Sequence, residues 1–366
     1  MKMGLLLFLL MFLLSLSPIQ AQETVWRSEA VFLSPARVET LKERVKNKTE
    51  PTYSAFLKLQ AFADKALARE PHVPARWYVP GYYRDAKGHQ DAKKGLADDA
   101  NSAYGLALMF RISGEEKYAH AATNLIDAWA KLEEMDRKDD STLSFSYHFP
   151  ALIFAADLLK DWPGWPQEKQ AAFRTFVRTK ALPMNTMSRH NNWGSWGLVL
   201  WLSGAAYLDD KDAFDKGIVR YKEFIEKQIA DDGHLPLEVI RNNGIGEHGL
   251  WYTHFSLMPL TIAAEIARVN GVDLFNYQSP NNRTLRAAFE RVAPWTRDIR
   301  TFPYFKPKNA DEKQKGTDYI SYWEILSARW PNADATAMLQ EKRPLTASHC
   351  TPFLTLTHGD LSSDRE

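Results

Sequence analysis

Two stretches of the chain carry polar side chains of the types that remove and return protons. Residues 189–196 read RHNNWGSW, and residues 235–255 read LPLEVIRNNGIGEHGLWYTHF. Together they supply paired asparagines, an arginine, several histidines and a tyrosine, beside the starts of two strongly apolar helices. Such groups could hold a substrate carboxylate while a proton is removed from the adjacent carbon. Each also has a structural alternative, since Asn often caps a helix and Tyr at a helix start often only packs.

The elements that must position these residues are predicted to be helices of two alternating kinds. Residues 101–112, 149–160, 194–208 and 251–269 are apolar on nearly every face, which is typical of buried helices. Amphipathic segments lie between them, and two of these carry apolar stripes at helical spacing: Tyr118, Ala122, Leu125 and Trp129, and Phe214, Ile218, Tyr221 and Ile225. The alternation predicts an all-α fold, an (α/α) toroid of six or seven helical hairpins with an inner and an outer ring.

One rim of this toroid is predicted to collect polar groups. If successive inner helices run parallel, their N-termini open at the same end, where helix dipoles favour an anion. The polar residues expected there come from four separate segments: Asn101, Tyr147, His148, Asn191, Asn192 and Tyr252. Their convergence favours a shared site over four independent helix caps.

Two long stretches without a helical pattern could cover this rim. Residues 70–95 contain ARWYVPGYYRD, and residues 232–249 contain Arg241, four Gly and two Asn. Loops of this length in a compact domain are usually functional or disordered, and the aromatic content of the first argues against disorder. We therefore predict that the first stretch covers the substrate and contacts it through Trp77, Tyr82 and Arg84.

The N-terminus and the charge balance limit the compartment and the partners. Residues 1–21 have one Lys, a Leu/Phe-rich run and a final Ala, which is typical of a secretory signal peptide. The sequence thus predicts a secreted or periplasmic protein, one mature domain over residues 22–366, and no membrane anchor after cleavage. With 46 Lys and Arg against 45 Asp and Glu, a nucleic-acid binder is disfavoured. The single Cys350 cannot form an internal disulfide.

Three segments resemble the alginate lyase family of polysaccharide lyases. They are residues 98–132, residues 190–196 and residues 232–275, of which the last is the most specific. The resemblance implies a helical toroid that cleaves a uronic-acid polymer by β-elimination, with no metal or other cofactor. It also implies an anionic uronate polysaccharide as the partner, with alginate first and glucuronan or a glycosaminoglycan as alternatives.

The resemblance assigns residues as well. The family's paired asparagines fall on Asn191 and Asn192, its arginine on Arg241 and its tyrosine on Tyr252. The chain departs from the family where many relatives have His after the asparagines, because Trp193 stands there. That departure leaves open which histidine acts and whether alginate is the preferred polymer.

These residues would work on the proton at C5 of a uronate. Asn192 and Arg241, with Asn191 as a third donor, would stabilise the negative charge that builds on the carboxylate. Tyr252 would protonate the departing O4. It could also serve as the base where the C5 proton and O4 lie on the same side, as in mannuronate and glucuronate linkages.

Guluronate linkages need a second base, because there the C5 proton and O4 lie on opposite faces. The candidates are histidines: His148 first, His190 second, and then His248 and His254, which flank Tyr252. His248, His254 and Trp193 are also predicted to contact the substrate. A satisfied structural histidine is the alternative in each case.

Other function classes are also compatible with the sequence. Glu238 and Glu247 could be the carboxylate pair of a glycoside hydrolase on the same toroid. A non-catalytic glycan-binding protein could use the 12 Trp of the chain. A metal site has little support, because His248 and His254 stand in no HxxxH or HExxH spacing.

Overall fold

A computed structural model of the protein describes residues 26–241, 248–304, 319–346 and 349–359. The predicted signal peptide and Glu247 lie outside the described residues. Helices dominate the described part of the chain. In chain order they are α1 (Pro35–Lys46), α2 (Thr52–Ala66), α3 (Ala86–Ser113), α4 (Glu116–Trp129), α5 (Ser141–His148), α6 (Pro150–Leu159), α7 (Gln167–Phe176), α8 (Asn192–Tyr207), α9 (Lys211–Gln228), α10 (Pro236–Val239), α11 (Gly249–Val269), α12 (Leu285–Arg297), α13 (Trp323–Arg329), α14 (Ala333–Lys342) and α15 (Leu354–His358).

Two short strands complete the regular structure. β1 (Arg76–Trp77) pairs in parallel with β2 (Glu134–Met135), with Arg76 opposite Glu134 and Trp77 opposite Met135. The pairing ties the segment before α3 to the segment after α4.

The predicted alternation of buried and amphipathic helices is confirmed. The inner helices pack in chain order, α3 against α6, α6 against α8 and α8 against α11, while α4 packs outside α3 and α9 outside α8. Every residue of α6 is buried, as its uniformly apolar sequence predicts. All eight residues of the two predicted stripes on α4 and α9 are buried as well. The fold is therefore an (α/α) toroid.

The helix that begins at Ser141 and ends at Leu159 is buried along its whole length. Phe149, between α5 and α6, keeps helical dihedral angles, so the two run as one helix. By length and composition alone these 19 residues could cross a membrane, but the whole stretch is buried inside the protein. It is the core helix of the inner ring.

Two inner helices begin earlier than predicted, which corrects the expected rim. α3 begins at Ala86, so Asn101 lies inside the helix and not at its start. Tyr147 and His148 likewise end α5 and do not open a helix. The prediction placed each start at the first apolar run, whereas the first half of α3 is polar and still helical. Only the starts of α8 and α11 bring polar groups to helix N-termini as expected.

Close packing fixes the start of α8. Asn191 caps the helix, its Oδ1 accepting a hydrogen bond from the Trp193 backbone N–H at 3.2 Å. A Cβ at Gly197 would lie 2.4 Å from the backbone nitrogens of Thr186 and Met187, so only glycine allows this approach. The chain that leads into Asn191 and Asn192 is thereby held against α8.

Candidate active site

The starts of α8 and α11 and the short helix α10 meet around one buried carboxylate, that of Glu238. Its Oε1 accepts from the Asn192 backbone N–H at 2.8 Å, and the Asn192 Nδ2 lies 3.0 Å from Oε1 and 2.9 Å from Oε2. The Arg241 Nε lies 3.6 Å from Oε2, one helical turn further on. Burial raises the pKa of the Glu238 carboxyl, although Asn192 and Arg241 favour its charged form. The Glu238 carboxylate therefore holds both Asn192 and Arg241 in position.

Tyr252, in the first turn of α11, lies directly against this group. The Arg241 guanidinium stacks 4.4 Å from the centre of the Tyr252 ring. The Tyr252 hydroxyl forms a 2.5 Å hydrogen bond with the hydroxyl of Tyr83. Burial and this bond raise the pKa of Tyr252, while Arg241 opposes the shift. We call Tyr83, Asn192, Glu238, Arg241 and Tyr252 the Tyr252 cluster.

Asn192 does not stand free as a carboxylate donor, which corrects its predicted role. Its side-chain nitrogen is occupied by Glu238, and its Oδ1 is buried with no hydrogen-bond partner among the described residues. Asn191 uses its Oδ1 to cap α8, and its role as a third donor stays a prediction. The Arg241 side chain forms no hydrogen bond with another described residue, so its guanidinium is the donor left for an anion.

A second group of polar residues lies deeper in the toroid, where α3 and α5 face the segment before α15. The Lys93 Nζ donates to the Tyr147 hydroxyl at 3.3 Å, and the Tyr147 ring packs on His148 and His349 at 4.5 and 4.9 Å. The His148 and His349 rings stack at 5.9 Å. We call Lys93, Tyr147, His148 and His349 the Lys93 cluster.

His148 is buried, and neither of its ring nitrogens has a hydrogen-bond partner among the described residues. Burial, together with His349 and Lys93, holds the pKa of His148 well below its ordinary value. The imidazole is thus uncharged at neutral pH. No hydrogen bond or ring contact joins it to a described member of the Tyr252 cluster, from which it is separated by Tyr147 and Phe255. The predicted second base for guluronate stays a prediction.

His190 and His248 occupy the surroundings of the Tyr252 cluster. His190 is exposed, and its Nδ1 lies 3.4 Å from Nη2 of Arg220. His248 is half-buried just before α11, where its carbonyl accepts from the Tyr252 backbone N–H at 2.9 Å. Trp193 is half-buried, with the Arg189 guanidinium 4.5 Å from its ring centre. The predicted roles of these three residues stay predictions.

Two predicted substrate contacts are wrong. His254 is fully buried, with Nδ1 3.0 Å from the Tyr322 hydroxyl and Nε2 2.9 Å from the Thr296 hydroxyl, so it is a satisfied structural histidine. Trp77 is also fully buried, and its indole N–H donates to the Ser141 carbonyl. Sequence position beside Tyr252 suggested the first, and aromatic content suggested the second. Neither reveals on which side of the backbone a side chain lies.

The segment before α3 does reach the candidate site. Tyr83 brings its hydroxyl to Tyr252, although it is 72% exposed. Tyr82 is exposed and packs edge-on against Tyr83, and Arg84 pairs with Asp139 at 2.7 Å. The predicted contact of Arg84 with the substrate stays a prediction, since its side chain is 67% exposed. Tyr83 was missed, and its position next to Tyr82 was the only signal in the sequence.

The two clusters contain cations, phenols, an amide, two imidazoles and one buried carboxylate. Within the described ranges, no group of three or more His, Cys, Asp and Glu is close enough to hold a metal ion. Glu238, one of the two carboxylates considered for a glycoside hydrolase, is 2% exposed and bonded to Asn192. A buried carboxylate with these partners positions other residues, and it does not face a sugar.

Comparisons with known proteins agree with this arrangement. The family model for alginate lyase matches residues 41–302. An alginate lyase from Pseudomonas syringae pv. tomato is 24% identical over 250 residues, which are 63% of this chain and 61% of the relative. An alginate lyase from Pseudomonas putida is 34% identical over 163 residues, 44% of this chain and 39% of the relative. The chain thus spans less than two thirds of the length of these relatives.

The fold has a solved counterpart. Alginate lyase A1-III from Sphingomonas species A1 superposes with a TM-score of 0.75 at 19% identity, over 92% of this chain and 97% of that chain. A variant of that enzyme was solved in complex with a tetrasaccharide. The span matched by the family model is well over half of this chain and contains every residue of the Tyr252 cluster, so the protein belongs to the alginate lyase family.

Proposed function

We propose that this protein is a polysaccharide lyase that cleaves a uronic-acid polymer, alginate first, by β-elimination without a metal ion. The observation that carries the proposal is the Arg241 guanidinium, which packs on the Tyr252 ring and pairs with the buried carboxylate of Glu238. This places a cation that can bind a carboxylate beside a phenol that can move a proton. The names of the relatives in the same family support the choice of alginate.

The elimination needs a base that takes the C5 proton, a cation beside the carboxylate and an acid that protonates O4. The C5–H bond breaks and its electrons form the C4–C5 double bond, while the C4–O4 bond breaks and O4 takes up a proton. Negative charge accumulates on the uronate carboxylate as the C5 proton leaves. Arg241 would stabilise that charge through a charge-assisted, bidentate contact. Tyr252 would deliver the proton to O4.

The linkages that fit best are those with the C5 proton and O4 on the same side, as in mannuronate and glucuronate. Tyr252 could then serve as base and acid in turn, because both atoms lie on the face it occupies. Arg241 is the cation that favours the phenolate form of Tyr252. The Tyr83 hydroxyl is hydrogen-bonded to the Tyr252 hydroxyl. Because Tyr83 belongs to residues 70–95, this contact supports the predicted role of that segment as a cover over the candidate site.

The proposal extends to where the protein acts and on what. A signal-peptide-like start at residues 1–21 supports a secreted or periplasmic location, where polymers too large to enter a cell are degraded. The partner is an anionic uronate polysaccharide. A tetrasaccharide complex of the structural relative A1-III supports a saccharide ligand for this fold.

Glu238→Gln tests whether the carboxylate positions the site. The amide would place an N–H group where Oε1 or Oε2 now accepts from Asn192, and it would remove the anion beside Arg241. Hydrogen bonds to charged groups contribute about 1.5–3 kcal/mol, so we expect kcat/KM to fall by about ten- to a hundredfold. The rate of ultraviolet-absorbing product from mannuronate-rich alginate measures this.

The matched control is Glu39→Gln, because Glu39 is exposed and pairs only with Lys42 at 2.7 Å. It should leave kcat/KM within about twofold of the wild type, since exposed ion pairs contribute little. Equal rates for Glu238→Gln and Glu39→Gln would show that Arg241 needs no buried anion.

A panel of polyuronates, assayed with and without chelator, tests the function itself. We expect unsaturated product from alginate at a rate that exhaustive chelation does not change, because Arg241 supplies the positive charge. Calcium must be controlled, since it also binds and gels some uronate polymers. Loss of activity with chelator and recovery with one divalent ion would contradict the metal-free mechanism. If unsaturated product forms only from glucuronan or a glycosaminoglycan, that polymer and not alginate is the substrate.

A further inference from the structure

Lys93, on the inner helix α3, holds a half-buried ammonium group without an acidic partner. No carboxylate of the described residues lies within ion-pair distance of its Nζ, which contacts only the Tyr147 hydroxyl and ring. Burial lowers the pKa of Lys93 to about 8, and Asp140 offsets this only in part. Asp140 itself is engaged by the Tyr82 backbone N–H and by His89. An unpaired buried cation destabilises the fold, so its presence needs a reason.

His148 adds a second unsatisfied group at the same place. Its ring is 3% exposed, and neither nitrogen has a hydrogen-bond partner within the described ranges. A neutral imidazole offers one N–H donor and one acceptor. Buried polar groups are normally satisfied, so the described residues leave the polar groups of this place incomplete. The ring nitrogens have almost no accessible surface, so the group that an anion can reach here is the Lys93 ammonium.

The walls around the Lys93 cluster are aromatic and lead to Tyr252. The Phe255 ring contacts Tyr147 at 5.8 Å and Tyr252 at 6.4 Å. The half-buried Trp251 stacks on Phe255 at 4.7 Å, with 16° between the ring planes. Phe255 thus contacts both Tyr147 and Tyr252, and adjoining units of a polysaccharide can span a separation of one aromatic ring. Aromatic rings of this kind pack on the apolar faces of sugars.

We infer that Lys93, with Tyr147, forms a second carboxylate-binding subsite that holds the uronate next to the one at Arg241 and Tyr252. The inference rests on the proposed function for the identity of the polymer. The ammonium of Lys93 binds the carboxylate, and the Tyr147 hydroxyl, which contacts that ammonium, helps to hold it in place. Two carboxylate sites in succession make contiguous uronates the preferred sequence, over polymers in which acidic and neutral sugars alternate.

Binding separates this inference from the proposed function. The titration uses a mannuronate tetrasaccharide by calorimetry, with Tyr252→Phe as the background so that no turnover occurs. Lys93→Met keeps the length and packing of the side chain but removes the charge. We expect Kd to rise about tenfold or more, the scale of one charge-assisted contact. We also expect thermal stability to stay the same or rise, because an unpaired buried cation is removed.

Two further variants control this result. Lys94→Met changes the neighbouring lysine, which is exposed and pairs with Asp98, and it should leave Kd unchanged. Lys93→Arg keeps the charge and should restore most of the affinity. An uncharged mannose tetrasaccharide should bind Lys93→Met and its background equally.

The outcomes are distinct. Unchanged Kd in Lys93→Met, or a loss that Lys93→Arg fails to restore and that comes with lower thermal stability, would overturn the subsite. Absence of unsaturated product from every polyuronate with otherwise wild-type protein would instead overturn the proposed function. The calorimetric series does not depend on turnover, so the two failures can be told apart.

Discussion

Replacement of Tyr252 by Phe should reduce turnover of alginate by about a hundredfold or more, the scale of a lost general acid–base group. The ring would remain, so the stacking of Arg241 at 4.4 Å would be kept. Only the hydroxyl that exchanges a proton would be lost, together with its hydrogen bond to Tyr83. KM should change little, because the carboxylate contact belongs to Arg241. Initial rates of unsaturated product, with kcat and KM determined separately, measure this.

The same tyrosine predicts a pH dependence. Burial and Tyr83 raise the pKa of Tyr252 above its ordinary value of 10.0, so at neutral pH most molecules carry the protonated phenol. The base is the phenolate, and kcat/KM should therefore rise with pH over the range below that pKa. Tyr78→Phe is the control, since its hydroxyl is bonded to Asp139 and is not in contact with Tyr252. Near-native turnover of Tyr252→Phe would remove this residue from the mechanism.

Replacement of Glu265 should have the largest effect on the free energy of unfolding. Its ion-pair partners lie outside the Tyr252 cluster and the Lys93 cluster. This carboxylate is 1% exposed and binds Arg268 at 2.7 Å and His358 at 3.3 Å, with Arg329 at 3.6 Å. It thereby connects α11 to α13 and α15. Glu265→Gln would leave two guanidinium groups without their buried anion. Breaking such a cluster costs about 3–5 kcal/mol, which urea unfolding should show.

The pH dependence of this loss follows from the direction of the pKa shift. Burial alone would raise the pKa of Glu265, but His358 and Arg268 outweigh it and hold the pKa well below its ordinary value. A depressed carboxyl pKa contributes stability above the unfolded-state pKa of about 4.3 and loses it as pH falls. The difference in the free energy of unfolding between wild type and Glu265→Gln should therefore become smaller below about pH 4.

An exposed ion pair serves as the control for Glu265. Glu290 pairs with Arg286 at 2.8 Å on the outer face of α12, and both side chains are largely solvated. Glu290→Gln should change the free energy of unfolding by less than about 1 kcal/mol. A similar, small effect for Glu265→Gln would mean that the cluster contributes little to holding the C-terminal helices.

The sequence predicted the burial or position of a residue correctly where that residue belonged to a periodic pattern or a family motif. Uniform apolarity predicted that α6 would be buried, and the stripes of α4 and α9 predicted which faces would be covered. The motif residues Arg241 and Tyr252 do lie against each other. These inferences concern local composition and spacing, which the chain carries directly.

Side-chain direction and long-range contacts were not accessible in this way. His254 and Tyr252 are two residues apart on one helix, so they project from different faces, and His254 lies in the core. Tyr83 reaches Tyr252 across 169 residues of chain, and Lys93 meets Tyr147 across 54. Asn192 carries the residue type for an anion site, yet its donor group points to Glu238. Only tertiary packing decides such cases.

The central claim is that cleavage proceeds by elimination, and the ratio of two product signals tests it most directly. Purified protein acting on alginate should form one ultraviolet-absorbing C4–C5 double bond for every new reducing end. That one-to-one ratio should hold from the first measurable turnover and should be unaffected by chelator. New reducing ends without the absorbance would identify a hydrolase and contradict the account.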